Sequence, residues 1–288
     1  MMRIGRLEVH SVVTGTLRLD GGAMFGVVPK VLWASAADAD DRNRILLATR
    51  TLLVVDRGSE RVTLADTGCG TKWTPDKADR FAVHHNREAL PKALAAIGLG
   101  VADVTDVVVT HLHFDHNGGL TEWVDEPGGD TRPCFPRARH WIHRKHWEHA
   151  RRPNLKDRAS FLPEDFAGLQ EAGLLNQVDG ENPSPTIPGI EWFVSQGHTP
   201  YHLHPVVADG DKRLIFVGDL APTVAHLRLG WVMAYDQLPL TTIAEKQRIF
   251  ADAIKQRLWL AFPHDPKISG VGLDGTVERP VVCETLEL

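Results

Sequence analysis

The sequence predicts an α/β protein built on two sheets, or one mixed sheet, with helices outside. Two observations lead there. Apolar strand-type runs alternate irregularly with helical segments, through hairpins as well as crossovers, which argues against a doubly wound parallel sheet. Metal-type side chains from His111 to His264 also lie on both sides of the proline-bearing segment 179–188. If they meet, that segment is a loop, and 1–288 is a single folded domain.

Residues 7–13 read as a strand of small and β-branched side chains, and 15–29 as a loop containing Gly21-Gly22-Ala23-Met24-Phe25-Gly26. Runs 51–56 and 61–66, split by Arg57-Gly58-Ser59-Glu60, signal a hairpin, and Thr67-Gly68-Cys69-Gly70 is its glycine-rich exit. Helical spacing over 86–97 stops at Gly98. The β-branched run 104–110 is a buried strand. A short strand at 139–142 leads into a helix through Ala150, and 163–172 reads as another helix. Strands follow at 190–195, 202–208 and 213–217. The clearest late helix is 241–256, and a strand at 258–262 delivers His264.

Composition excludes several classes. The chain of 288 residues is 43% hydrophobic and 24% charged, as in an ordinary soluble protein. Its net charge of -5, with no basic run beyond Arg151-Arg152, argues against nucleic acid as a partner. Three cysteines without a Cys-x-x-Cys pair make neither a disulfide framework nor a zinc ribbon. No run is long enough to span a bilayer, and no signal-type apolar segment follows Met1. The expectations are therefore no membrane partner and, by default, a cytoplasmic location. Neither a Gly-x-Ser-x-Gly elbow nor a glycine-rich dinucleotide fingerprint occurs.

The anomaly is histidine, with fifteen copies. Thr110-His111-Leu112-His113-Phe114-Asp115-His116-Asn117-Gly118-Gly119 follows a strand and ends in a Gly-Gly turn. Imidazole nitrogen and carboxylate oxygen suit zinc and related divalent ions. A tight loop aims alternate residues differently, so it can feed two adjacent ions: His111 and His113 one, Asp115 and His116 the other.

His-x-His-x-Asp-His after a strand resembles the signature of the metallo-β-lactamase superfamily. Other pieces follow in order: Leu64-Ala65-Asp66-Thr67-Gly68 is similar to an early Asp-x-Gly turn, and Gly197-His198-Thr199-Pro200-Tyr201-His202 to a Gly-His-Thr-Pro-Gly-His segment. Phe216-Val217-Gly218-Asp219 resembles the strand that ends in a bridging aspartate, and Pro263-His264-Asp265 the last histidine. The resemblance implies a four-layer αββα sandwich of two mixed sheets with two metal ions at one edge. His111, His113 and His198 would bind one ion, and Asp115, His116 and His264 the other. Asp219 would bridge them, and Asp66 would support. Zinc is the default ion, while iron, manganese and cobalt fit the same donors. Two ions sharing a water lower its pKa and supply hydroxide near neutral pH, and Asp115 would carry a proton to the leaving group.

Within the superfamily the chain resembles the lactonase-like branch, which includes N-acyl-homoserine lactone lactonases (quorum-quenching enzymes) and organophosphate-cleaving relatives. That implies a small-molecule lactone or ester substrate and, by analogy, a homodimer. The alternatives are a phosphotriesterase or other esterase of the same superfamily, and a non-catalytic metal-binding protein. Met24 and Phe25 would form an apolar wall for an acyl chain. The branch's lactone-holding tyrosine, three residues past the bridging aspartate, is here Pro222, and Tyr235 is the candidate to replace it. Of the other histidines, His140, His143, His146 and His149 recur every three residues and read as an exposed helix face, and His202 as a supporting residue.

Overall fold

In strand Leu7–Asp20 inward side chains alternate with more exposed ones along its length, because successive residues of a strand face opposite sides of the sheet. The computed structural model describes residues 1–125 and 127–288. The strand extends past residue 13, correcting the loop expected at 15–29. Leu17 and Leu19 continue the inward alternation and are buried, after a register shift between Val13 and Gly15. The helix Gly21–Phe25 follows, capped by Asp20, whose carboxylate accepts the Ala23 N–H at 2.8 Å.

Among the described residues the first sheet runs, in spatial order, Met2–Ile4, Leu7–Asp20, Arg44–Asp56, Arg61–Ala65, Asp106–Val108, Arg139–His143, Leu175–Val178, with His84–His85 pairing on Leu7–Asp20. Its first four strands are antiparallel, as is the His84–His85 pairing, and the pairings from Arg61–Ala65 onward are parallel. The expected hairpin is present, with Leu52 opposite Ala65 and Val55 opposite Val62. The second sheet runs Ile190–Ser195, His202–Asp209, Lys212–Phe216, Leu258–Ala261, Gly270–Thr276, Arg279–Leu286. It is antiparallel except where Lys212–Phe216 meets Leu258–Ala261, and the helix Pro239–Gln256 lies in that parallel crossover.

Three apolar clusters stack these layers. Leu52, Val54 and Val108 of the first sheet meet Ile190, Leu203 and Leu214 of the second. Leu53, Leu64 and Val107, on the first sheet's other face, meet Leu94, Trp147 and Ala150 from the helices Ala89–Ala96 and Arg144–Arg151. Ile215, Leu258 and Leu260 meet Ile249, Phe250 and Ala253 of the long helix. The result is the expected αββα arrangement, each sheet burying both faces.

Two helix expectations change. Residues 163–172 split into a 3-10 turn, Pro163–Asp165, and a short helix, Ala167–Glu171. The four histidines do not share an exposed helix: His140 and His143 lie on strand Arg139–His143, and His146 and His149 on helix Arg144–Arg151. His140, His143 and His146 are buried: Trp147 and Ala150 turn the helix, and His146 with it, onto the first sheet, while His143 stacks on Tyr201 at 4.6 Å.

Strands Arg61–Ala65 and Asp106–Val108 are parallel, so Asp66 and the His111 loop leave the first sheet at the same edge. The parallel pair in the second sheet likewise sends Asp219 and His264 out together. His198 lies in the turn from Ile190–Ser195 to His202–Asp209.

Candidate metal centre

The seven residues singled out by the motif converge. His111, His113 and His198 form one group whose ligand atoms all lie within 4.8 Å of one another; Asp115, His116 and His264 form another, and His111, His116 and Asp219 link the two. Asp219 reaches both sides: Oδ2 is 3.3 Å from His198 Nε2, while Oδ1 is 3.1 Å from His116 Nε2 and 3.4 Å from His264 Nε2. Asp115 Oδ2 is 3.5 Å from His264 Nε2. All seven side chains are buried.

The outer nitrogens fix the tautomers. His116 Nδ1 donates to Asp66 Oδ2 at 2.9 Å, His264 Nδ1 to the Ala48 carbonyl at 2.7 Å, and His198 Nδ1 to Asp236 Oδ1 at 2.9 Å. The Thr110 hydroxyl donates to Asp66 Oδ2 and therefore accepts from His111 Nδ1 at 3.0 Å. Each of these Nε2 atoms then presents a lone pair inward, as ligating imidazoles do when an oxygen holds the other nitrogen.

This arrangement calls for a cation. His116 Nε2 and His264 Nε2 face each other at 2.9 Å, and His198 Nε2 faces His113 Nδ1 at 3.2 Å. His111 Nε2 is buried without a hydrogen-bond partner, a costly state for a polar atom. Burial alone would lower the pKa of His116, but Asp219 and Asp115 beside it outweigh burial and raise it well above the ordinary imidazole value, so that without a cation a proton takes the Nε2 lone pair that a metal ion would otherwise use. Burial and neighbouring histidines push His111 and His113 well below that value. The cluster thus packs imidazole nitrogens and carboxylate oxygens within ligand distance of one another, and the donor set fits divalent ions.

Local chain geometry brings these groups together. Asp66 sits at φ +59°, a region asparagine and aspartate tolerate better than most residues. From there it accepts the Thr110 N–H and hydroxyl, His116 Nδ1 and Asn117 Nδ2, all at 2.8–2.9 Å. The Gly-Gly turn is required sterically: a Cβ on Gly118 would lie 2.2 Å from the Cys69 carbonyl oxygen.

A cavity of about 140 Å³ opens onto His113, Asp115, His198, Asp219 and His264. Its other walls include Leu19, Met24, Phe81, Phe114 and Tyr235. Of the three residues expected to contact substrate, Met24 and Tyr235 line this cavity. Phe25 does not, which corrects that expectation: its ring is buried, stacked on Trp33 at 5.3 Å and on His226 at 5.1 Å. A five-residue helix turns neighbouring side chains to different faces. His202 is buried beneath the cluster, its Nε2 accepting the Asp219 N–H at 3.3 Å. Sequence reasoning missed Asp236, which holds His198 from 38 residues away with no motif around it, and the wall residues Leu19 and Phe81. Phe114 stood inside the motif and could have been chosen.

The chain belongs to the metallo-β-lactamase superfamily, whose family model matches residues 46–267. It is 26% identical over 176 residues to the N-acyl homoserine lactonase AttM of Rhizobium radiobacter, covering 60% of this chain and 62% of that protein. The chain thus spans less than two thirds of the curated relative it matches. A crystal structure of a probable metal-dependent hydrolase from Staphylococcus aureus superposes with a TM-score of 0.85 at 30% identity, covering 99% of this chain and 100% of that one. AidC, a dizinc quorum-quenching lactonase, superposes with a TM-score of 0.75 at 18% identity over 100% of this chain and 96% of its own, a likeness of fold alone. Among the described residues, no helix is long and apolar enough to cross a membrane.

Proposed function

We propose that this protein is a metal-dependent hydrolase with two ions per site, zinc by default, that opens lactones or cleaves esters of small uncharged molecules. N-acyl-homoserine lactones, the substrates named for its lactonase relatives, are the first class to test. The observation that carries the reading is the cavity: part of its lining is the His/Asp cluster, most of the rest is apolar, and no lysine or arginine is among its described lining residues. A neutral acyl compound fits such a surface, whereas an anionic substrate would find no side-chain counter-charge there.

When bound, the ions would supply Lewis acidity and a water acidified to near neutral pH. The side chains do the rest. Leu19, Met24, Phe81 and Phe114 hold the apolar part of the substrate and exclude bulk water. Burial, then Asp115, Asp20 and Asp219, push the Tyr235 hydroxyl up to about 12. It therefore stays protonated and serves as a donor to the carbonyl oxygen. Asp115, at the cavity wall, passes the proton of the attacking water to the oxygen that leaves when the acyl C–O bond breaks. Phosphotriesters are also uncharged, so a phosphotriesterase is the second reading.

Proton release from a panel of acyl-homoserine lactones, simple lactones, aryl esters and a phosphotriester would test this, with His113→Ala as control. Lactone opening that disappears in His113→Ala supports the proposal, and Tyr235→Phe should lower kcat/KM about tenfold, the worth of one hydrogen bond. Turnover of the phosphotriester alone would favour the second reading. No turnover by metal-loaded protein would reject both.

A further inference from the structure

We infer that His146 is a positioning residue for the His111/His113/His198 metal position, acting from outside it by tying together the two loops that carry those ligands. The inference rests on the metal-binding reading of the cluster. His146 is fully buried on helix Arg144–Arg151 and is not among the residues lining the cavity. Its Nε2 accepts the Leu112 N–H at 2.9 Å, and its Nδ1 donates to the Pro200 carbonyl at 2.8 Å.

Those two partners are informative. Leu112 is the residue between His111 and His113, beyond the end of strand Asp106–Val108, so no sheet neighbour holds its N–H. Pro200 lies two residues after His198 in the turn between two strands of the other sheet. One imidazole therefore joins the first sheet's ligand loop to the second sheet's. Both ring nitrogens are engaged, which fixes the ring's tautomer and rotation. The ring also packs 6.2 Å from that of His111 and 5.9 Å from that of Phe161, which in turn sits 4.8 Å from His113.

The second ligand group has independent supports. His116 is held by Asp66, and His264 by the Ala48 carbonyl. Loss of His146 strands a buried N–H at Leu112 and cuts the tie between the two loops, so that the loop carrying His111 and His113 can shift against His198, which Asp236 still holds, while His116 and His264 keep their own anchors. The expected signature is selective: one metal position weakens and the other holds. General loosening of the core would instead weaken both in step with thermal stability.

The test is a Co²⁺ titration of the metal-free protein, following the visible absorption of the two binding steps, with the thermal midpoint of each metal-free sample measured alongside. Wild type, His146→Ala, His146→Gln and His149→Ala are compared. Removing an outer partner of a ligand shell typically weakens affinity about 10–100-fold. His146→Ala should show that loss in one step, with less than about threefold change in the other. His146→Gln, which retains an acceptor for the Leu112 N–H, should recover most of it, and His149→Ala should match wild type. The inference is overturned if both His146 variants bind Co²⁺ as wild type does, or if both steps weaken together as the midpoint falls. Wild type that binds no Co²⁺ would overturn the metal reading and this inference together, and that result is distinct because it appears before any substitution.

Discussion

Asp66→Asn replaces one oxygen by an NH₂ group, with almost no change in volume, at a position where φ is +59° and asparagine is tolerated. The amide oxygen can still accept from Thr110 N and Asn117 Nδ2, which both use Oδ1. The other end now donates where it accepted, toward His116 Nδ1 and the Thr110 hydroxyl. His116 must then carry its proton on Nε2, the atom facing the cluster. The Thr110 hydroxyl, accepting a hydrogen bond from the substituted side chain's amide, turns its own hydrogen toward His111 Nδ1 and drives the His111 proton inward too. One atom thus blocks two ligand nitrogens. Each disturbed outer partner costs about tenfold or more in affinity, so two give at least about 100-fold, or about 2.8 kcal/mol. Chelator-competition titration of metal-free wild type and Asp66→Asn measures this, with circular dichroism confirming the fold. Equal metal affinity in a folded Asp66→Asn protein would refute the tautomer argument.

Other perturbations follow from the same geometry. Burial lowers His140 and His226 to about 4. A neutral histidine in the fold that protonates in the unfolded chain contributes stability present above pH 6.5 and lost as pH falls toward 4. Urea unfolding of the metal-free protein should therefore show a loss on the order of 2 kcal/mol per group between pH 7 and 4, and a flat profile would contradict it. Lys246 Nζ donates to the carbonyls of Arg228, Leu229 and Trp231 at 2.9, 3.3 and 2.9 Å. Lys246→Met leaves these without their donor and should destabilise by about 1–3 kcal/mol, read from the denaturation midpoint. The segment leading to Tyr235 loosens with it, so KM should rise more than kcat falls. Gly218 has φ +47°, and a Cβ there would lie 2.3 Å from His202 Cε1. Gly218→Ala should displace Asp219 and weaken metal binding about tenfold or more, whereas unchanged affinity would show that this backbone can yield.

Much of this site was legible because its ligands are local or punctuated. Four fall within the six residues from His111 to His116, and the other three follow strands whose apolar runs were plain. The hairpin was readable as two continuous apolar runs split by a turn, and the long helix from one periodicity over its length. What escaped depends on distant contacts. Leu7–Asp20 looked like a strand followed by a loop because Gly15 masked the continuing alternation of Leu17 and Leu19. His146 fell in a three-residue histidine repeat that suggested one helix, but the repeat crosses a strand-to-helix junction that spacing does not reveal. Asp236 is an ordinary loop carboxylate until the fold sets it 2.9 Å from His198. Phe25 and Met24 are neighbours of similar character, and only packing sends one into a buried aromatic stack and the other to the cavity wall.

The central claim is that two ions occupy the His/Asp cluster and that hydrolysis depends on them. The most direct measurement is metal content per chain by elemental analysis, alongside lactone-opening rate, as the loaded protein is stripped with chelator and reloaded with zinc. The account predicts about two ions per chain when fully loaded, a rate that falls with metal content and returns on reloading, and little of either in His113→Ala. A rate that survives complete stripping, or full loading that leaves His113→Ala with wild-type metal content, would contradict it.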